Sequence, residues 1–213
     1  MPAVVLAAGK STRMGRPKPN LPVSAGDVTI DDTFLTRLVR TLLAADIDDV
    51  VIVVGHEKDA VVRSFVRSGL PARFVENADY ASGQLSSLLA GLRVVDRPGV
   101  SAILITLVDA PFVTAETVRA VIERYVSTGA PIVRPTRLGE HGHPLLVDRS
   151  LFDELRHASP ADGAKAVVRT HATPEGEVPC ADEGAFMDVD TPDEYERAIR
   201  VFGGGDRSAT SDT

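Results

Sequence analysis

The chain has 213 residues, 44% hydrophobic and 25% charged, an ordinary globular composition that fits one domain. Its formal net charge of −7 argues against a nucleic-acid partner, yet it is compatible with an anionic small molecule wherever a local cluster of cations sets the field. The single cysteine, Cys180, excludes an intramolecular disulfide and suits a reducing cytoplasm; there is neither a signal-peptide pattern nor an apolar run approaching the ~20 residues of a membrane helix.

Residues 3–7 are all apolar and read as a buried strand. Phe34, Leu35, Leu38, Val39, Leu42 and Leu43 then recur at helical spacing and predict a helix over residues 33–45. The β-branched run 50–54 has no polar face, the pattern of a parallel strand covered on both sides. A helix over 57–68 and a strand over 73–76 come next. Leu85, Leu88, Leu89 and Leu92 mark a helix that stops before Pro98-Gly99. Residues 102–108 form another apolar strand, and Val118, Val121, Ile122 and Tyr125 line the next helix. Shorter strands are expected at 132–134, 145–147 and 186–189, with helices at 150–156, 163–170 and 193–202. The alternation predicts an α/β fold: a three-layer α/β/α sandwich around a mostly parallel sheet with right-handed crossovers. No repeat or linker divides it, so residues 1–202 are read as one domain. Ser24-Ala25-Gly26-Asp27 reads as a surface turn, and residues 203–213, rich in Gly, Ser, Thr and Asp, as a disordered tail.

The first strand runs into Leu6-Ala7-Ala8-Gly9-Lys10-Ser11-Thr12-Arg13-Met14-Gly15-Arg16-Pro17-Lys18, a segment with two glycines, hydroxyls and several cations. Such a segment can cradle a polyphosphate. Gly9 is expected to adopt positive φ, so that successive N–H groups point at phosphate oxygens. Arg13 and Lys18, both expected to be exposed, supply charge-assisted hydrogen bonds where a phosphoryl group accumulates charge. The segment is not a P-loop, because Val4 stands where that motif requires its first glycine. No G-x-G-x-x-G follows the strand either.

In an open α/β sheet the ligand site lies beyond the carboxyl ends of the strands. Asp109 follows the strand at 102–108. Asp188 and Asp190 fall at the end of the strand expected at 186–189, although Asp190 or Thr191 equally suits the amino-terminal cap of the last helix. Asp109 and Asp190 make an oxygen-rich site for Mg²⁺, which favours one or two carboxylates completed by water and substrate phosphates. Gly83, Ser86 and Ser87 open another helix whose unpaired N–H groups suit a base, ribose or phosphate; a helix capped by Ser82 is the alternative. His141-Gly142-His143-Pro144 lacks the further ligands of a zinc site and reads as a polar loop that meets an acceptor.

Five segments together resemble the molybdenum cofactor cytidylyltransferase group of the molybdopterin nucleotidyltransferase-like family. They are the Leu6 to Lys18 loop, Asp79-Tyr80-Ala81-Ser82-Gly83-Gln84-Leu85-Ser86-Ser87-Leu88, Leu107-Val108-Asp109-Ala110-Pro111, Gly142-His143-Pro144 and Asp188-Val189-Asp190-Thr191-Pro192. The resemblance spans about residues 2 to 202 and implies a Rossmann-like fold of nucleoside-diphosphate-sugar transferase topology. It implies an enzyme that moves CMP from CTP to the phosphate of molybdenum-molybdopterin, releasing pyrophosphate with Mg²⁺, and a downstream molybdoenzyme of the xanthine dehydrogenase type. On this reading Arg13, Lys18 and Asp109 are catalytic and Asp109 and Asp190 bind the metal. Leu6, Ala7, Ala8, Gly9, Ser11, Arg13, Lys18, Gly83, Ser86 and Ser87 contact the nucleotide, and Gly142, His143 and Pro144 the acceptor. Relatives using GTP tend to carry L-A-G-G in the first motif, and Ala8 here favours CTP. The family often has Gly-Asp-Gln-Pro or Gly-Asp-Met-Pro around the aspartate; this chain keeps Asp109 and Pro111 but has Val108 and Ala110, which bears on the acceptor fit. A sugar- or alcohol-phosphate nucleotidyltransferase of the same fold, or a chaperone that only delivers a finished cofactor, are the other readings.

Overall fold

A computed structural model describes residues 1–23 and 32–203. The turn expected at residues 24–27 and, of the tail expected over residues 203–213, residues 204–213 lie outside the described residues. Strands β1 (Ala3–Ala7), β2 (Val50–Val54), β3 (Arg73–Glu76) and β4 (Ala102–Leu107) alternate with helices α1 (Phe34–Ala44), α2 (Lys58–Val66) and α3 (Gln84–Val95). Helix α4 (Ala115–Thr128) leads to β5 (Ile132–Arg137), β6 (Glu140–His141) and β7 (Leu145–Asp148). Helices α5 (Phe152–His157) and α6 (Ala164–His171), strand β8 (Glu177–Pro179) and helix α7 (Pro192–Phe202) complete the order.

The strands form one sheet in the order β3-β2-β1-β4-β7-β5-β6, with β8 beside β5. Strands β1 to β4 run parallel to one another. Only β7 and β6 break the pattern: β7 is antiparallel to both β4 and β5, and β6 returns along β5 as a short hairpin. The mostly parallel α/β sheet expected from the alternation is therefore the one observed. In β7, Leu145 pairs with Ile105, so the residues entering β7 arrive at the carboxyl end of β4.

Side chains alternate across a strand, and both faces of this sheet are covered, which is why its central strands carry no polar face. Val5, Ile52 and Leu104 pack in one apolar cluster with Leu38 of α1, Phe65 of α2, Val121 of α4 and Ile199 of α7. Val4, Val53 and Ile103 pack on the other face with Leu88 and Leu92 of α3, Phe152 of α5 and Val167 of α6. Helix α3 lies very close to the sheet at Gly91, where an added Cβ would stand 2.5 Å from Val4 Cγ1. Thr33 caps α1 through a reciprocal exchange with Thr36, and Thr191 caps α7 in the same way with Glu194.

One expected strand is absent. Residues 186–189 do not join the sheet: a 3₁₀ turn spans Glu183–Phe186, and the turn and the chain beyond it are each tied by a single backbone bond instead of a ladder. His143 N–H donates to Ala185 O at 2.7 Å and Val189 N–H to Asp109 O at 2.8 Å. Strand β8, which the short apolar content of its sequence did not announce, pairs with the outer part of β5.

Candidate functional site

The loop after β1 folds on itself. Ser11 adopts φ +51°, its carbonyl accepts from both Met14 N–H and Gly15 N–H at 3.0 Å, and its Oγ accepts from Lys18 N–H at 3.1 Å. Met14 is buried in the core, which anchors the middle of the loop. The left-handed positions are thus Ser11 and Gly15 (φ +73°), not Gly9 as expected from the sequence. Gly9 instead lines the cleft, and a Cβ there would meet no protein atom within 4 Å. Its missing side chain leaves open space in the cleft.

The loop brings two cations onto two carboxylates. Arg13 Nη2 donates to Asp190 Oδ2 at 2.6 Å. Lys18 Nζ contacts Asp190 Oδ1 and lies 3.3 Å from Asp109 Oδ2. Arg13 is exposed as expected, at 67% of its side chain. Lys18 is not: it is buried, at 10%, between Asp109 and Asp190. Its burial follows from geometry, since Pro17 and the short 3₁₀ turn Lys18–Asn20 direct the residue inward to where the two carboxylates compensate its charge. Burial alone raises the Asp190 carboxyl, but the hydrogen bonds and charges of Lys18 and Arg13 outweigh it and hold it below the ordinary value. Asp188 stands apart. Loss of solvation among the cleft walls, then the nearby charges of Asp109 and Asp190, pushes it up to about 6 against the opposing pull of Lys18. Although residues 186–189 form no strand, the bond from Val189 to Asp109 O still delivers Asp190 to Lys18.

A cleft of about 310 Å³ gathers most of the residues singled out in the sequence: Leu6, Ala7, Ala8, Gly9, Ser11, Arg13, Lys18, Gly83, Ser87, Asp109 and Asp190 all line it. Gly83 caps α3 at φ +104° with no side-chain bond to the helix, so Ser82 is not the cap; its hydroxyl donates to Asp79 Oδ1. Ser86 is not among the lining residues. Its hydroxyl is taken up by the Asp79 and Gly83 carbonyls, and it accepts from Asn77 Nδ2 at 2.8 Å. Buried Asn77 also donates to Ser87 Oγ at 3.0 Å and accepts from Asp79 N–H, which fixes the entry of α3. Tyr80 and Gln84 complete this wall. Both lie within a segment whose pattern was plain, but neither side chain alone signalled a contact.

A larger cleft of about 660 Å³ shares Leu6, Gly83, Gln84 and Leu107 with the first and is lined by Gly142, His143 and Asp188. Gly142 permits a close approach, but to its own chain: a Cβ there would collide with Ala185 O. Pro144, joined to His143 by a cis peptide bond, is buried behind the wall and does not line either cleft. Burial holds the His143 imidazole below its ordinary value against the opposing charge of Asp109, so the ring is neutral near pH 7, and its Nδ1 is buried with no partner.

Asp109 Oδ1 is also buried and accepts no hydrogen bond. An orphaned carboxylate oxygen beside a phosphate-type loop fits a hard cation. Among the described residues no three His, Cys, Asp or Glu side chains converge to form a closed cage. Asp109 and Asp190 are the carboxylates that could hold such an ion, with positions left for water and ligand oxygens. No helix among the described residues is long and apolar enough to cross a membrane.

Residues 3–175 match the MobA-like NTP transferase domain, and the chain belongs to that family of nucleotidyltransferases. It is 32% identical over 210 residues to nicotine blue oxidoreductase of Paenarthrobacter nicotinovorans, covering 92% of this chain and 95% of that one. It is 30% identical to the molybdenum cofactor guanylyltransferase of Rhizobium meliloti (strain 1021), covering 92% and 89%. Among solved structures it is similar to Rv0371c from Mycobacterium tuberculosis H37Rv, with a TM-score of 0.74 at 29% identity over 93% of this chain and 96% of that one. The complex of Rv0371c with manganese aligns at a TM-score of 0.69 and 28% identity, covering 93% and 97%.

Proposed function

We propose that this MobA-like NTP transferase moves CMP from CTP onto the phosphate of molybdenum-loaded molybdopterin, giving the cytosine dinucleotide cofactor and pyrophosphate. The observation that carries the reading is the pair of joined clefts. One holds the phosphate-type loop with Arg13, Lys18, Asp109 and Asp190, and it opens past Leu6 and Leu107 into a second that holds His143. Two anionic substrates approaching from the two sides would meet at that junction.

Arg13 and Lys18 would hold the triphosphate, trading their bonds to Asp190 for phosphate oxygens. Gly9 leaves the backbone open to it, and the unpaired N–H groups at the start of α3 lie along the same wall. Asp109 and Asp190, released from Lys18, are the residues that would hold Mg²⁺. When bound, a divalent ion supplies Lewis-acid neutralisation of charge on the phosphates; the manganese complex of Rv0371c supports a divalent ion in this fold. The acceptor phosphate is anionic near neutral pH, so no strong base is required. The protein's part is to position two mutually repelling anions and to offer preorganised positive charge. Neutral His143 can donate to a pterin or phosphate oxygen from the acceptor side.

Support for CTP comes from the motif, in which Ala8, a lining residue of the cleft, stands where relatives using GTP tend to carry glycine. Support for the acceptor comes from the motif resemblance and from a relative named for molybdenum cofactor. The product would pass to a molybdoenzyme of the xanthine dehydrogenase type, in the cytoplasm. The test is pyrophosphate release by purified protein with Mg²⁺, CTP and GTP in competition, and either molybdenum-loaded molybdopterin or a sugar 1-phosphate as acceptor. CTP with the molybdopterin is expected to win. GTP preference overturns the base assignment, and turnover with the sugar phosphate alone overturns the acceptor. Because one relative is named an oxidoreductase, a reduced nicotinamide cofactor is included without NTP. Its oxidation in the absence of any pyrophosphate release would overturn the transfer reading.

A further inference from the structure

Transfer chemistry leaves part of the larger cleft unexplained. Arg134 of β5 and Lys165 and Arg169 of α6 line it, and none of the three lines the nucleotide cleft. Among the described residues none of them makes an ion pair or hydrogen bond. Arg40, Lys58 and Arg73, by contrast, each reach a carboxylate. Lys165 and Arg169 stand four positions apart on one face of α6, where like charges weaken a helix. Arg134 is fixed in a strand with its Nε buried and without an acceptor. Burial lowers its guanidinium from the usual value, and the opposing charge of Glu177 acts from a distance, since the Glu177 carboxylate is turned to His141 at 3.7 Å. Gly163, the cap of α6, also lines the cleft and makes no side-chain bond to the helix. The carboxylates on the same walls are Asp162 and Asp188. In a chain of net charge −7, three cations without an ion pair in one concavity, against two carboxylates on its walls, are an electrostatic match for an anion.

We infer that Arg134, Lys165 and Arg169 form an anion subsite, so that the acceptor carries a second anionic group, of oxyanion type, in addition to the phosphate that reacts. The inference rests on reading this cleft as the acceptor side of a nucleotidyltransferase. The reacting phosphate must lie at the junction with the nucleotide cleft, whereas the three cations belong to the larger cleft alone, so one anion does not serve both places. A phosphorylated sugar with an otherwise neutral body would leave the subsite unfilled.

Tungstate, a dianionic oxyanion visible by anomalous scattering, is the probe. Its affinity is measured by calorimetry at low ionic strength for wild type, Arg134→Gln and the double variant Lys165→Gln/Arg169→Gln. Both variants are expected to lose about tenfold in tungstate affinity, the scale of a charge-assisted contact, with CTP and GTP affinities unchanged. Anomalous density is expected between β5 and α6. If Arg134→Gln does not fold, the exposed double variant decides alone. Unchanged tungstate affinity in the variants overturns the subsite, as does density confined to the Gly9 to Lys18 loop or an adventitious ion only. Wild type that binds tungstate between β5 and α6 but binds no NTP would sustain the anion subsite while overturning the transferase reading. Wild type that binds NTP but no tungstate would do the reverse.

Discussion

Lys18→Met is the most searching perturbation of this site, because it removes a charge and keeps the aliphatic stem. The ammonium touches both Asp109 and Asp190, whose side chains are only 24% and 28% exposed. Removing one partner of a fully buried ion pair costs about 3–5 kcal/mol. Here each carboxylate keeps a quarter of its surface in water and Arg13 still pairs with Asp190 at 2.6 Å, so we expect about 1–3 kcal/mol. For a chain of this size each kcal/mol moves Tm by roughly 2–4 °C, placing the variant about 2–12 °C below wild type in a chelator. A divalent cation that replaces the ammonium between the carboxylates stabilises the folded state by mass action, so millimolar Mg²⁺ should raise the variant's Tm more than that of wild type. Turnover should nevertheless fall by about 10²–10³-fold, the scale of losing one preorganised donor. Differential scanning fluorimetry with and without Mg²⁺, beside pyrophosphate release, reads all three effects. A variant that melts with wild type in chelator, or that responds to Mg²⁺ no more than wild type does, refutes the reasoning. Adding Asp109→Asn should abolish the extra Mg²⁺ response.

His143→Ala should raise the acceptor KM or lower kcat while CTP affinity holds; lost thermal stability with unaltered kinetics would show that the ring only pins its loop. Gly91→Ala sets a methyl against Val4 and should cost about 1–3 kcal/mol, and because α3 carries Gly83 and Ser87 into the cleft, nucleotide affinity should fall with it, as isothermal titration would show. Asp49 accepts from Arg73 and Arg97 at 2.6 Å each, and although burial raises its carboxyl, those guanidinium bonds hold it below the ordinary value. Its contribution is therefore present above the unfolded pKa and lost as pH falls through the folded one. Asp49→Asn should lower stability at neutral pH, with the gap to wild type closing below about pH 4 in chemical denaturation; a gap that is constant with pH would count against the ion pair.

The strands β1, β2 and β4 and the helices that cover them were legible because the signal is local. Residues such as Val51 and Ile52 are fully buried on opposite faces, and nothing polar interrupts them. The loop after β1 was legible from its residue types as the wall of a site, and it does line the cleft, but its internal geometry was not legible. Which residue takes positive φ depends on where Ser11 finds its hydrogen-bond partners, Met14, Gly15 and Lys18, and that placed the left-handed turn at Ser11 instead of Gly9. The burial of Lys18 was out of reach because its partners lie 91 and 172 positions away in sequence. The segment 186–189 has the apolar content of a strand, yet its backbone tie to the neighbouring chain is the single bond from Val189 N–H to Asp109 O, so no ladder forms. Arg134, Lys165 and Arg169 gave no pattern at all; a strand and a distant helix had to meet before they shared a wall.

The reversal of β7 has a consequence for how such a protein can change. Four parallel strands present the loops at their carboxyl ends, and that half of the sheet carries the phosphate-type loop and Asp109. The antiparallel strand presents the loop at its amino end, so His143 reaches the same rim on the connection from β6 into β7, whose Leu145 pairs with Ile105 of β4. Lengthening or recasting the turn between β6 and β7 therefore reshapes one side of the rim without shifting the register of β1 or β4. On the proposed reading, the phosphate-type loop and His143 are inherited on separate pieces of chain, and a lineage can trade one acceptor for another while the loop after β1 stays fixed.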